Sequence, residues 1–215
     1  MKKKSEKIEQ VITHGIDPGV TSGIATFVGD DLVGVQHIRV DHTDLGARLN
    51  ALNEHRAICG LSDGSCPVSP TETPQNCSEA LVCESQYLDI DASKKRGQRL
   101  SAIAGPLQSA VVWEAAARYL GIELLERVSP PTWRATFRLP HTRLAAKKAA
   151  IAVVQSKWPR VEDIHPGKLC DHCAEAVLIT AHAHIHRLAS LKLPIPKSFG
   201  RFETVLRKRR RKKTR

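Results

Sequence analysis

A chain of 215 residues with 41% hydrophobic side chains and a net charge of +11 suits one domain, with room for a small insertion. At this size folding removes roughly 70% of the unfolded chain's surface from water, so no disulfide or metal staple is needed for stability. No apolar run approaches the ~20 residues of a membrane span, and the Lys-rich start lacks a signal peptide's apolar core, so a soluble intracellular protein with no membrane partner is expected.

The charge is unevenly placed. Residues 207–215 hold eight Lys or Arg, and Lys2, Lys3 and Lys4 add three more, which leaves the remainder formally neutral. The expected organisation is a basic extension over 1–10, a domain over 11–193 with a loop insertion at 59–78, and a basic tail over 194–215. Basic ends of this kind attract polyanions and make binding salt-sensitive, although they also serve as solubilising or targeting tails.

Residues 11–17 read as a buried strand, followed by the turn Pro18-Gly19-Val20-Thr21-Ser22-Gly23. Strands over 24–28 and 32–40, joined at Gly29-Asp30-Asp31, complete a three-stranded meander. Asp44 is placed to cap a helix carrying Leu45, Leu49, Leu52 and Ile58 on one face. After the unpatterned 59–78 stretch comes a strand over 80–84. A helix from 98 to 120 follows, with Gly105-Pro106 as an expected kink or break. A strand at 122–128, a short helix opening on Pro130-Pro131, and longer helices over 143–157 and 171–191 end the pattern. Three strands and then alternating elements predict a mixed α/β sheet with helices on both faces.

The six cysteines lack the paired spacing of a four-ligand zinc site, although Cys170 and Cys173 form a CxxC, so free thiols are expected. Of His182, His184 and His186, only the first and last share a helix face, and all three read as helix-packing or surface residues.

Acids at strand ends carry the chemistry. Asp17 closes the first strand and Glu84 the fourth, while Glu175 lies on the last helix with Asp171 or His172 one turn before it. Carboxylates at the ends of buried strands are costly unless they bind a metal or react. Three such places in one small chain point to a divalent-metal centre.

The segment Gly15-Ile16-Asp17-Pro18-Gly19-Val20-Thr21-Ser22-Gly23 resembles the opening motif of the RuvC family of Holliday-junction resolvases, within the ribonuclease H-like superfamily. Val82-Cys83-Glu84-Ser85-Gln86 looks like that family's second-acid strand. Pro130-Pro131-Thr132-Trp133-Arg134 with Lys147 is similar to its basic DNA-contact region. Asp171 to Ile179 looks like its final acidic helix. These pieces stand in the family's order over about residues 11–190, and neither 59–78 nor the tail has a counterpart.

The resemblance implies a ribonuclease H-like fold and a crossover-junction endodeoxyribonuclease using two magnesium ions roughly 3.5–4 Å apart, with manganese as a substitute. Asp17 would bridge the ions, Glu84 would hold one, and Glu175 with Asp171 or His172 the other. The family's usual spacing and its His-bearing members favour His172, whereas an oxygen-rich magnesium site would prefer Asp171. Arg134, Lys147 and Lys148 would contact DNA phosphates, and the Lys94-Lys95-Arg96 cluster is a further candidate. Branched DNA is the implied partner, with no small-molecule cofactor and a DNA-associated location. Paired nicks call for a two-fold homodimer, and Val111, Val112, Ala115 and Ala116 mark the candidate face. Tyr87 and Phe137 are candidates for base stacking or for core. Two alternatives stand beside this reading, a nuclease of the same fold acting on other branched DNA or RNA, and a junction-binding protein that does not cut.

Overall fold

A computed structural model describes residues 10–41, 43–61, 77–85, 100–165 and 167–199. The Lys94, Lys95 and Arg96 cluster, Tyr87, most of 59–78 and both basic ends lie outside them. Strands β1 (Gln10–Asp17), β2 (Thr21–Val28) and β3 (Asp31–Arg39) form the expected antiparallel meander. Strand β4 (Cys77–Cys83) adds in parallel to β1, and β5 (Glu123–Leu124) in parallel to β4. The order is β3-β2-β1-β4-β5. The helices are α1 (Leu45–Ile58), α2 (Leu100–Tyr119), α3 (Pro130–Phe137), α4 (Arg143–Lys157), α5 (Val161–Ile164) and α6 (Asp171–Ser190). This is the mixed α/β sheet with helices on both faces that the sequence predicts.

Strand alternation assigns the faces. Ile16, Ile24, Leu81 and Cys83 pack with Leu52 of α1 and with Ala110, Trp113, Ala116 and Ala117 of α2. Ala25, Phe27 and Val82 point the other way, into a core with Trp133, Phe137, Ala146, Ala150, Val154 and α6. Helix α6 is buried over most of its length because the sheet, α3 and α4 cover it. Phe199, in a short 3-10 turn (Lys197–Phe199), closes this layer against Phe27, Trp158 and His184.

Four local expectations change. Strand β2 begins at Thr21 rather than Ile24, because Thr21, Ser22 and Gly23 pair with Arg39, Ile38 and His37. Asp44 caps α1 as expected, accepting from Ala47 N at 2.9 Å, but the buried stripe is Arg48, Ala51, Leu52 and His55. Leu45 and Ile58 are exposed, so α1 is rotated to bury two polar side chains that find partners inside. Helix α2 runs through Pro106 without a break. Proline removes one backbone hydrogen bond, and the apolar stripe packed beyond it outweighs that loss. The strand expected over 122–128 reduces to Glu123–Leu124 plus an isolated bridge from Val128 to Glu84. Between them Arg127 turns to a bidentate pair with Glu114 at 2.6 and 2.8 Å.

Phe137 is core, not an exposed stacking ring. On α2, Val111 and Ala115 are exposed and Val112 half-buried, whereas Ala116 belongs to the core. Cys77 is disulfide-bonded, which departs from the free-thiol expectation; Cys59, Cys83, Cys170 and Cys173 are free. Among the described residues no helix is long and apolar enough to cross a membrane.

Candidate functional site

The site begins with a register. Ile16 of β1 pairs with Cys83 of β4, and Glu84 N continues the ladder by donating to Ile16 O at 3.1 Å. Asp17 and Glu84 therefore emerge side by side at the carboxyl ends of adjacent parallel strands. Ile16 and Cys83 face α1 and α2, so period-two alternation sends both acids to the α6 face.

Glycines then let α6 close onto those strands. A Cβ on Gly15 would lie 2.1 Å from Thr180 Oγ1, and one on Gly23 would lie 2.1 Å from the carbonyl oxygen of His172. Gly23 is the cross-strand partner of Asp17. The first turn of α6 thus descends beside the first acid, and His172 Nδ1 meets Asp17 Oδ2 at 2.7 Å.

Each acid has a donor from another element. Glu84 Oε1 accepts from Trp133 Nε1 at 2.8 Å. Glu175 Oε1 accepts from Arg134 Nη2 at 3.3 Å, and Asp171 Oδ2 from Lys147 Nζ. Arg134 also lies over the Trp133 ring, 5.1 Å from its centroid.

The titration shifts follow these contacts. Burial raises the Glu175 carboxyl above its ordinary value, and the negative charge of Asp17 raises it further despite Lys147 and Arg134. For His172 the hydrogen bond to Asp17 is the largest influence and outweighs burial, so its imidazole holds a proton more readily than usual. Burial works against ionisation of Asp171, but the contact with Lys147 prevails and its carboxyl is lowered.

The structure therefore joins Asp17, His172 and Glu175 electrostatically, with Glu84 beside Asp17 by register. Asp171, as exposed as His172 with a third of its side chain open to solvent, also acts electrostatically on His172 and Glu175 but is paired with Lys147. Of the two alternatives one turn before Glu175, His172 is the one bonded to Asp17. Arg134 and Lys147 border the acids, while Lys148 is exposed on α4.

Among the described residues no group of three or more His, Cys, Asp or Glu is spaced to hold a metal ion as it stands. The donor set nevertheless fits hard divalent cations. It is mostly carboxylate oxygen, and the raised Glu175 beside Asp17 marks negative charge that a cation would relieve.

Sequence reasoning missed the residues that hold the turn after Asp17. Arg48 donates to Ser22 Oγ at 2.7 Å and to Gly19 O at 2.8 Å. Ser109 donates to Gly19 O at 3.0 Å, and Trp113 Nε1 to Ser22 Oγ at 3.2 Å. The available signal was an arginine within the apolar period of α1. Trp133 lay inside a quoted motif, yet its contact is with Glu84. His37 of β3 is a further neighbour, with its ring nearly parallel to that of His172 at 6.3 Å.

No protein-family model matches the chain, and no curated protein matches it. Among solved structures, the chain is similar to one titled "Thermus thermophilus RuvC structure". The match has 16% identity and a TM-score of 0.48, covering 83% of this chain and 96% of that one. A likeness of that degree establishes no family for this chain.

Proposed function

We propose that this chain is a structure-selective endonuclease that resolves four-way DNA junctions by paired, divalent-metal-dependent phosphodiester hydrolysis. The observation that carries the reading is the convergence of Asp17, Glu84, His172 and Glu175, supplied by two parallel strands and one helix turn, at an end of the sheet bordered by Arg134 and Lys147.

Asp17, Glu84, and Glu175 with His172 or Asp171 would hold two magnesium ions, with manganese as a substitute. Bound there, the ions supply charge neutralisation at the phosphate and acidification of water. Arg134 and Lys147 neighbour the same acids and are placed to hold phosphate oxygens with charge-assisted hydrogen bonds. His172, oriented through Nδ1 by Asp17, presents Nε2 for proton transfer to or from an oxygen at the scissile bond. Trp133 Nε1 fixes one oxygen of the Glu84 carboxylate. Two related strands of a junction call for two such sites in a two-fold dimer, and Val111 and Ala115 on α2 are the exposed apolar positions for that contact.

One observation favours a second reading. All four acids already have protein donors, as expected of a fold that grips junctions without cutting them. Cleavage of a labelled four-way junction and a matched linear duplex, in magnesium and in manganese, decides between the two. Symmetric nicking of the junction, lost in Asp17→Asn while binding survives, supports the resolvase. Tight junction binding with no cutting in either metal supports the non-cleaving protein. Equal cutting of forks, flaps or RNA assigns the same chemistry to a broader substrate.

A further inference from the structure

The CxxC at the start of α6 plays no part in the proposed hydrolysis. Cys170 is the N-cap, and its sulfur accepts a hydrogen bond from Cys173 N at 3.4 Å. In a capping arrangement the N-cap and the third helical residue lie side by side, and here both are cysteines. Cys170 is half-buried and Cys173 fully buried, and both are free thiols. Between them stand Asp171, paired with Lys147, and His172, paired with Asp17. We infer that Cys170 and Cys173 form a redox-modifiable dithiol whose closure to a disulfide distorts the first turn of α6 at the acid cluster.

The chemistry balances with hydrogen peroxide as oxidant. The Cys170 sulfur attacks a peroxide oxygen; an S–O bond forms, the O–O bond breaks, and the departing hydroxide takes the thiol proton and leaves as water. The Cys173 sulfur then attacks the Cys170 sulfur. The S–S bond forms, the S–O bond breaks, and a second water carries away the Cys173 proton. Peroxide gains two electrons and the dithiol loses two.

Geometry sets the consequence. Cys170 is extended and outside the helix, with its sulfur held on Cys173 N. Closure takes that sulfur off the amide it caps and fixes the two Cβ atoms about 3.5–4.5 Å apart, so the start of the turn must readjust. The Cys173 end cannot yield toward the sheet, because its backbone is pressed against Gly23, where an added Cβ would stand 2.9 Å from Cys173 N. The Cys170 end moves instead and carries Asp171 and His172 with it. The covalent step is independent of the proposed nuclease, whereas its effect on cleavage rests on that reading.

The test starts from the reduced full chain, exposed to hydrogen peroxide, quenched, alkylated under denaturing conditions and mapped by peptide mass. The expected product is a peptide two hydrogens lighter that joins Cys170 to Cys173 and reverts with dithiothreitol, while buried Cys59 and Cys83 remain alkylated. Cys173→Ser should stop Cys170 at the sulfenic or higher acids, and Cys170→Ser should give no oxidation in this peptide. The inference is overturned if Cys170 goes to sulfonic acid while Cys173 stays alkylatable, or if neither reacts. In parallel, oxidised protein should cleave junctions roughly a hundredfold more slowly, as expected for ~1 Å misplacement of a catalytic group, with recovery on reduction. A disulfide that leaves cleavage unchanged overturns the coupling to the acids. A disulfide in a protein that never cleaves leaves the dithiol standing and removes the nuclease reading.

Discussion

Strand β1 carries two polar clusters, three residues apart in sequence and on opposite faces of the sheet. On the α1 face, His14 donates to or accepts from Thr26 Oγ1 at 2.7 Å and contacts Glu79 at 2.7 Å through its other nitrogen. His55 reaches the same Thr26 hydroxyl at 2.8 Å, and Arg56 grips Glu79 with two bonds at 2.8 and 3.0 Å. His14, Thr26 and His55 are fully buried. On the α6 face, Asp17 and its companions meet His172, Arg134 and Lys147, whose side chains remain 20–33% exposed. The first cluster has a fully buried centre, with Arg56 and Glu79 as a rim 14–21% exposed, and spends its hydrogen bonds on joining α1 to the sheet. The second takes its cations from long side chains at the solvent edge, where partners can be exchanged for a ligand. Degree of enclosure, more than residue type, separates a structural polar cluster from a candidate site.

The largest expected effect falls on the open cluster. Asp17→Asn should reduce junction cleavage by roughly 10³-fold or more, the scale seen when a group that stabilises transition-state charge is removed, with the urea midpoint nearly unchanged. A large loss of stability would instead place Asp17 among the fold's fixtures.

The closed side and the core around α6 should govern acid stability. Burial pushes His55 down to about 3 and His184 down to about 4. His184 is fixed as a neutral ring, with Nε2 donating to Gly29 O at 2.7 Å and Nδ1 accepting from Thr13 Oγ1 at 2.9 Å. In the unfolded chain these rings take up protons near their ordinary value of about 6.5, so below it the unfolded state binds more protons than the native one. Stability is therefore fully present above about pH 6.5 and lost as pH falls through the folded values, by on the order of 3 kcal/mol for His184 alone. Urea titrations from pH 7 to 4 measure this slope, and His184→Gln should flatten it. An unchanged slope would mean that His184 titrates freely in the native state.

A smaller effect is expected of Thr26→Val. The change is nearly isosteric but leaves His14 and His55 without their shared hydroxyl, at a cost of about 2 kcal/mol, with cleavage intact. Smallest in its effect on cleavage is Trp133→Phe, which removes the donor to Glu84 and should slow the reaction about tenfold, one hydrogen bond's worth, while the smaller ring leaves a cavity at a fully buried site and lowers stability as well. A kcat unchanged in that variant would show that Glu84 is oriented by the sheet alone.

The sequence made the strand ends legible because buried strands announce themselves by apolar runs, and an acid closing such a run stands out. It also placed the first turn of α6 and the Asp44 cap. It did not disclose which way α1 faces, since Arg48 and His55 count as polar in any periodicity and become core only through Ser22, Gly19, Thr26 and Gln36. The choice between Asp171 and His172 was equally closed to it. Spacing puts both on one turn, and the approach of α6 at Gly23 brings His172, not Asp171, against Asp17. Trp133 was visible as part of a motif, but its bond to Glu84 spans 49 positions in sequence and depends on how α3 docks.

The ladder between β1 and β4 has one more consequence. Glu84 is set beside Asp17 by backbone bonds to its neighbour strand, not by the chain that leads into β4. The separation of the two acids is therefore the spacing of adjacent strands, about 4.8 Å between backbones, and a substitution that unpairs β1 from β4 would spread the site even with every acid intact.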